Sequence, residues 1–181
     1  MLKELFTELK QELRGAVHKK RHPFKYVTLS TIDEQKSPRS RTVVLREVSE
    51  NLDCIFFTDS RSEKVAHIEN NQNACILAYH PKKLMQLRID GILVQINDAH
   101  ELKRLFQKVS DKAIKDYTTA QAPGSPIDNP DLVAYVPRNE NHFVALQFIP
   151  HTIEYLRLKR PNHLRAVFKS VDNWKGQWLV P

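Results

Sequence analysis

The chain has 181 residues, 41% hydrophobic and 27% charged, with 28 Lys and Arg against 21 Asp and Glu for a net charge of +7. That length and balance suit one folded, soluble domain with a sizeable core, and no apolar run approaches the roughly 20 residues that span a membrane. The basic excess favours an anionic partner without choosing among nucleic acid, a phosphorylated small molecule and an acidic surface.

Leu2, Leu5, Phe6, Leu9, Leu13, Ala16 and Val17 recur at helical spacing between Lys, Glu and Gln, so a leading amphipathic helix is expected over residues 1–18. Its interleaved charges fit neither a signal peptide nor an anchor, and a cytoplasmic protein is expected. The basic run His18 to Lys25 could touch nucleic acid or complement the dipole of a helix end, and the second reading is preferred. His18 and His22 share helical spacing, but Pro23 follows and no acidic or thiol residue is near in sequence, so no metal site is expected.

Phe24 to Ile32 has the β-branched and aromatic content of a strand, and Asp33 to Pro38 reads as a turn. Arg41 to Val48 and Leu52 to Thr58 are two further strands around Ser49-Glu50-Asn51, giving an expected antiparallel meander of three. Ser60 and Glu63 form a capping-box pattern for a helix running to Asn70-Asn71. Ala74 to Tyr79 and Leu84 to Ile96 follow as strands, the second alternating around Gly91, where a bulge or close backbone approach is expected. From Asp98 the period turns helical, with inserted helices expected over 98–120, and the Pro-rich stretch 121–141 reads as a long ordered loop of a kind that tends to be functional. Phe143 to Ile149, Thr152 to Leu158, Leu164 to Val171 and Trp174 to Val180 complete the strand candidates. Without regular strand and helix alternation, the expected fold is mainly β, an antiparallel barrel with N-terminal and inserted helices in a single domain, 1–181.

Cys54 and Cys75 lie in apolar runs and read as buried thiols in a reducing compartment. The four glycines are scattered, so a dinucleotide GxGxxG turn, a Walker loop and a GxSxG elbow are all absent. The chemistry concentrates instead between Arg41 and Lys64. Cations Arg41 and Arg46 lie at the two ends of one run, and Thr58, Ser60, Arg61, Ser62 and Lys64 gather where a strand hands over to a helix. Such groups can hold a phosphate, although cations at strand ends are more often simply solvated.

Arg41-Thr42-Val43-Val44-Leu45-Arg46, Phe57-Thr58-Asp59, Ser62-Glu63-Lys64, Ile68-Glu69-Asn70-Asn71, Gln86 with Gly91, and the final Trp174 to Pro181 together resemble the pyridoxamine 5'-phosphate oxidase family of FMN-binding split-barrel proteins. The resemblance implies FMN as cofactor, with Arg41, Ser62 and Lys64 at its phosphate. It places Thr42, Val43, Val44, Leu45, Arg46, Phe57 and Thr58 along the flavin, and Gln86 reaching it from the partner chain of a homodimer with the cofactor at the interface. Gln121 matches a family glutamine at the phosphate, and Arg46 and Arg165 would meet a small-molecule substrate. The chain departs from the family's oxidases in having Glu63-Lys64 where they carry Arg-Lys, Leu156 where they carry Trp, and Asn162 to Val167 where an Arg-x-His-Asp-Arg run grips substrate. It therefore looks more like the divergent, oxidase-related branch.

Three readings follow. The first is an FMN-dependent oxidoreductase passing hydride from a small molecule to flavin. The second is a flavin-binding module without turnover. The third is a nucleic-acid-binding barrel, against which no strand alternates aromatic and basic residues as a stacking platform would.

Overall fold

In the computed structural model, which describes all of Met1–Pro181, the strand candidates join one nine-stranded antiparallel sheet curled into a half-barrel. The strands are β1 (Tyr26–Ile32), β2 (Pro38–Val44), β3 (Glu47–Val48), β4 (Cys54–Asp59), β5 (Asn73–His80), β6 (Met85–Gln95), β7 (Phe143–Arg157), β8 (Leu164–Lys169) and β9 (Gly176–Trp178). They run in the order β2-β1-β5-β6-β7-β4-β3, with β8 and β9 continuing from β7. Alternation decides the faces: Ala74, Ile76 and Ala78 of β5 and Leu87 and Ile89 of β6 point into the core, and their neighbours point out. The helices are α1 (Leu2–His18), α2 (Glu63–Asn70) and α3 (Ala99–Phe106). None is long and apolar enough to cross a membrane.

The expected meander of three does not form. β1 and β2 make a hairpin, but β2 ends at Val44, where Leu45 turns into the core, 1% exposed, and gives its N–H to Lys25 O. Backbone bonding to β4 begins only at Arg46, whose N–H donates to Ile55 O, and β3 then pairs with β4. β2 therefore keeps one edge free, and an open seam separates it from β4.

Other boundaries move for local reasons. Pro23–Lys25 is a 3-10 turn, so β1 begins at Tyr26. Ser62, rather than Ser60, precedes α2, because Asp59 accepts the Arg61 N–H and shapes the entry. The second inserted helix shrinks to a 3-10 turn at Ala113–Tyr117. The loop 121–141 holds short 3-10 turns at Pro130–Leu132 and Arg138–Glu140.

The strands expected at 143–149 and 152–158 are one strand, since Pro150 falls at a register shift opposite Gly91 and breaks no ladder. The bulge expected at Gly91 is there, and a Cβ on Gly91 would lie 2.3 Å from Ile149 O.

Helix α1 buries Leu5, Leu9, Leu13 and Ala16 in the core and ends at His18, leaving the basic run just beyond its carboxyl end. An acidic partner for His22 comes from one face of that helix. His22 Nε2 lies 3.0 Å from Glu12 Oε2, His80 Nε2 lies 3.8 Å from the same oxygen, and Lys83 Nζ bonds Glu12 Oε1 at 2.7 Å. Each ring accepts a backbone N–H at Nδ1, from Phe24 and from Lys83, so the hydrogen sits on Nε2 and points at the carboxylate. Burial holds His22 below its ordinary value of 6.5, Glu12 pulling upward and His80 and Lys19 pushing down. The unfolded chain thus takes up this proton first, and the stability His22 contributes is lost as pH falls below 6.5. The melting temperature is expected to fall as the pH drops below 6.5. His22→Asn, which can still accept from Phe24 N–H, should flatten that decline; an unchanged profile would place the titration elsewhere.

Candidate functional site

The seam between β2 and β4 is a cleft of about 270 Å³, lined by Arg41, Thr42, Val43, Val44 and Arg46 from β2 and its extension, and by Phe57, Thr58 and Asp59 from β4. Ser62 and Lys64 border it from the entry to α2, and Asp116, Tyr117 and Pro123 from the inserted segment. Nine of the residues singled out from the sequence therefore meet in one place: Arg41, Thr42, Val43, Val44, Arg46, Phe57, Thr58, Ser62 and Lys64.

Three of these are cations, and none forms an ion pair, although such pairs are common elsewhere, as at Arg39–Asp33, Arg61–Asp59 and Arg104–Glu47. Arg41 Nη1 donates to Thr31 Oγ1 at 2.7 Å and to Leu29 O at 3.3 Å, which leaves Nε and Nη2 without a bond in the chain. Lys64 Nζ donates to Thr58 Oγ1 at 2.9 Å, and Thr58 and Ser62 exchange a bond of 3.1 Å. Burial and the neighbouring Arg41 hold the Lys64 ammonium below its usual range, and burial does the same to Arg41. Both charges are thus kept where water stabilises them poorly, and an incoming anion would relieve both.

Arg46 lies over the Phe57 ring at 5.2 Å, and its buried Nε has no partner. Tyr117 beside it has its phenol pushed up by burial and by Asp116, with Arg46 pulling down. Arg61 pairs with the Asp59 carboxylate at 2.7 Å and keeps it ionised against the effect of burial, so its charge, partly offset by that arginine, still pulls the Lys64 ammonium upward. Glu63, the residue that departs from the Arg-Lys pair, lines a neighbouring hollow with Asp33, Arg39 and His67 instead of the cleft. The donor set fits a phosphate: the cations Arg41 and Lys64 keep free donors and border one opening with the hydroxyls of Thr58 and Ser62, which are bonded to each other and, from Ser62, to Asp59 O.

Four residues singled out from the sequence fall elsewhere. Leu45 is in the core, with its N–H engaged, so it does not line the cleft. Gln121 lines the adjoining hollow of the Pro-rich loop, which shares Asp116 and Pro123 with the cleft. Gln86 and Arg165 stand in one cross-strand row on the outer face of the sheet, Tyr79–Gln86–Leu156–Arg165. Arg165 is paired there with Glu154 at 2.7 Å. Sequence reasoning missed Tyr117 and Asp116, which sit in a weakly periodic segment with no motif. It also missed Thr31 and His67, which look like ordinary strand and helix residues.

Residues 6–97 match the family described as "Pyridoxamine 5'-phosphate oxidase, FMN-binding domain". A pyridoxine/pyridoxamine 5'-phosphate oxidase of Haemophilus influenzae is 28% identical over 97% of this chain and 88% of its own. One from Legionella pneumophila is 37% identical over 39% of this chain and 33% of its own. Among solved structures, a pyridoxamine 5'-phosphate oxidase-related, FMN binding protein of Nostoc punctiforme superposes with a TM-score of 0.75 at 25% identity, covering 98% of this chain and 96% of that one. PhzG of Burkholderia lata, in complex with tetrahydrophenazine-1-carboxylic acid, shares the fold with a TM-score of 0.76 at 22% identity, covering 98% and 92%. A split half-barrel with a cation-lined seam, and a match across half of its length, make this chain a member of the pyridoxamine 5'-phosphate oxidase family, carrying that family's FMN-binding domain.

Proposed function

We propose that the seam cleft is the FMN site of a cytoplasmic, homodimeric oxidoreductase built as one split-barrel domain and acting on a small molecule. The observation that carries the reading is the trio Arg41, Arg46 and Lys64, gathered in one cleft without a carboxylate partner. Arg41 and Lys64, with Thr58 and Ser62, hold the phosphate, each charge-assisted bond contributing about 1.5 to 3 kcal/mol. Thr42, Val43 and Val44 on the free edge of β2, with Phe57 opposite, border the ring system. Bound FMN supplies the hydride acceptor. Arg46, set between Phe57 and Tyr117, orients an anionic group of the substrate.

The outer face of the sheet leaves Tyr26, Leu77 and Tyr79 exposed beside the Gln86–Arg165 row. A second copy packed on that face would cover the apolar side chains and carry Gln86 to its partner's cleft. Gln121 reaches the phosphate from the adjoining hollow.

The pairing of Arg165 with Glu154 favours one alternative, a flavin-binding module without turnover, because that arginine is not free to grip a substrate. The visible spectrum of protein purified without added flavin, its size in gel filtration, and its turnover of pyridoxamine 5'-phosphate or NADH after FMN loading test these readings together. Released FMN, a dimer and steady turnover are expected. Flavin without turnover on either substrate would favour the module, and a colourless protein that takes up no added FMN would sink both.

A further inference from the structure

Thr31 on β1 and His67 on α2 are both buried, and neither borders the cleft. Thr31 Oγ1 accepts from Arg41 Nη1 at 2.7 Å and lies 2.8 Å from His67 Nδ1. Thr31 Oγ1 thus accepts from Arg41 and shares a second hydrogen bond with His67 Nδ1, where the chain ends. The connection runs across three elements. Arg41 belongs to β2, Thr31 to β1, and His67 to the helix whose entry carries Ser62 and Lys64.

We propose that Thr31 and His67 are positioning residues that fix the Arg41 guanidinium relative to the amino end of α2, and thereby set the preference of the site for a phosphorylated flavin over an unphosphorylated one. The inference rests on the reading of Arg41 and Lys64 as the phosphate end of the cleft. Nη1 is tied back to Thr31, so Nε and Nη2 are the faces left for a ligand. Without the tie only the longer bond from Nη1 to Leu29 O, 3.3 Å, restrains the guanidinium, and each phosphate bond then costs more of the rotamer entropy that the native chain has already lost on folding.

The experiment measures the affinities of FMN and riboflavin for the apoprotein and for Thr31→Val, Thr31→Ser, His67→Leu and His67→Asn, with apoprotein melting temperatures alongside. Thr31→Val and His67→Leu are expected to weaken FMN binding by about fivefold to tenfold, the scale of one hydrogen bond, and to leave riboflavin binding unchanged. Thr31→Ser and His67→Asn, which keep a hydroxyl and an acceptor, should restore most of the loss. Equal losses for both flavins would make the pair merely structural, and no loss of FMN affinity would remove any role; either result overturns the proposal. A native protein that binds riboflavin as tightly as FMN would overturn the phosphate reading beneath it.

Discussion

Alanine in place of Arg41 is expected to lower FMN affinity by about tenfold to a hundredfold, and the Arg41→Ala, Lys64→Ala double variant by about a thousandfold or more. The reasoning is electrostatic. Both charges lie in partly buried surroundings that depress them, so an anionic ligand recovers a cost the free protein already carries. Each also keeps donors free for a ligand after its bond to Thr31 or Thr58. Removing them should also raise apoprotein stability slightly, because two poorly solvated and unpaired cations are gone. Titration of purified apoprotein followed by flavin fluorescence reads the affinity, and a melting curve reads the stability. Full flavin retention by the double variant would move the phosphate site elsewhere.

Gly91→Ala is expected to be the most damaging single methyl addition, destabilising the fold by about 3 kcal/mol or more. The added carbon would lie 2.3 Å from Ile149 O and 2.7 Å from Phe148 Cζ, and the first of these is backbone that both β6 and β7 hold in place. Relief requires the two strands to part at the point where the register already shifts. Denaturant unfolding of the variant measures the loss, and a change under about 1 kcal/mol would mean that the bulge relaxes cheaply.

Much of this architecture was legible in the sequence. Strands such as Met85–Gln95 announce themselves by alternation, and the bulge at Gly91 by a lone glycine within that pattern. The cation and hydroxyl pattern between Arg41 and Lys64 also located the cleft before its walls were known. What stayed hidden depends on tertiary placement. Nothing in Arg41 to Val48 says that Leu45 leaves the strand for the core, so the run read as one strand paired with the next, when only its last two residues pair there and β2 stands apart. Pro150 read as a break, because its match to a register shift in β6 is visible only across the pair. The Glu63 substitution, alarming beside a phosphate site, faces another hollow because the start of α2 directs Lys64 and Glu63 to different sides. The contact of His67 with Thr31 spans 36 residues and has no local signature.

The long strand β7 also governs the order in which the molecule can assemble. Its first half holds β4, so the wall of the cleft carrying Phe57 and Thr58 reaches its position only after segments as far apart as Asp53 and Gln147, 94 residues in sequence, have met. Closure across such a span is slow compared with forming the β1–β2 hairpin or α1. A cofactor held in the seam, as proposed, would consequently arrive at a barrel whose topology is already settled, and would act as a late lock on the finished seam rather than as a template for the early steps of folding.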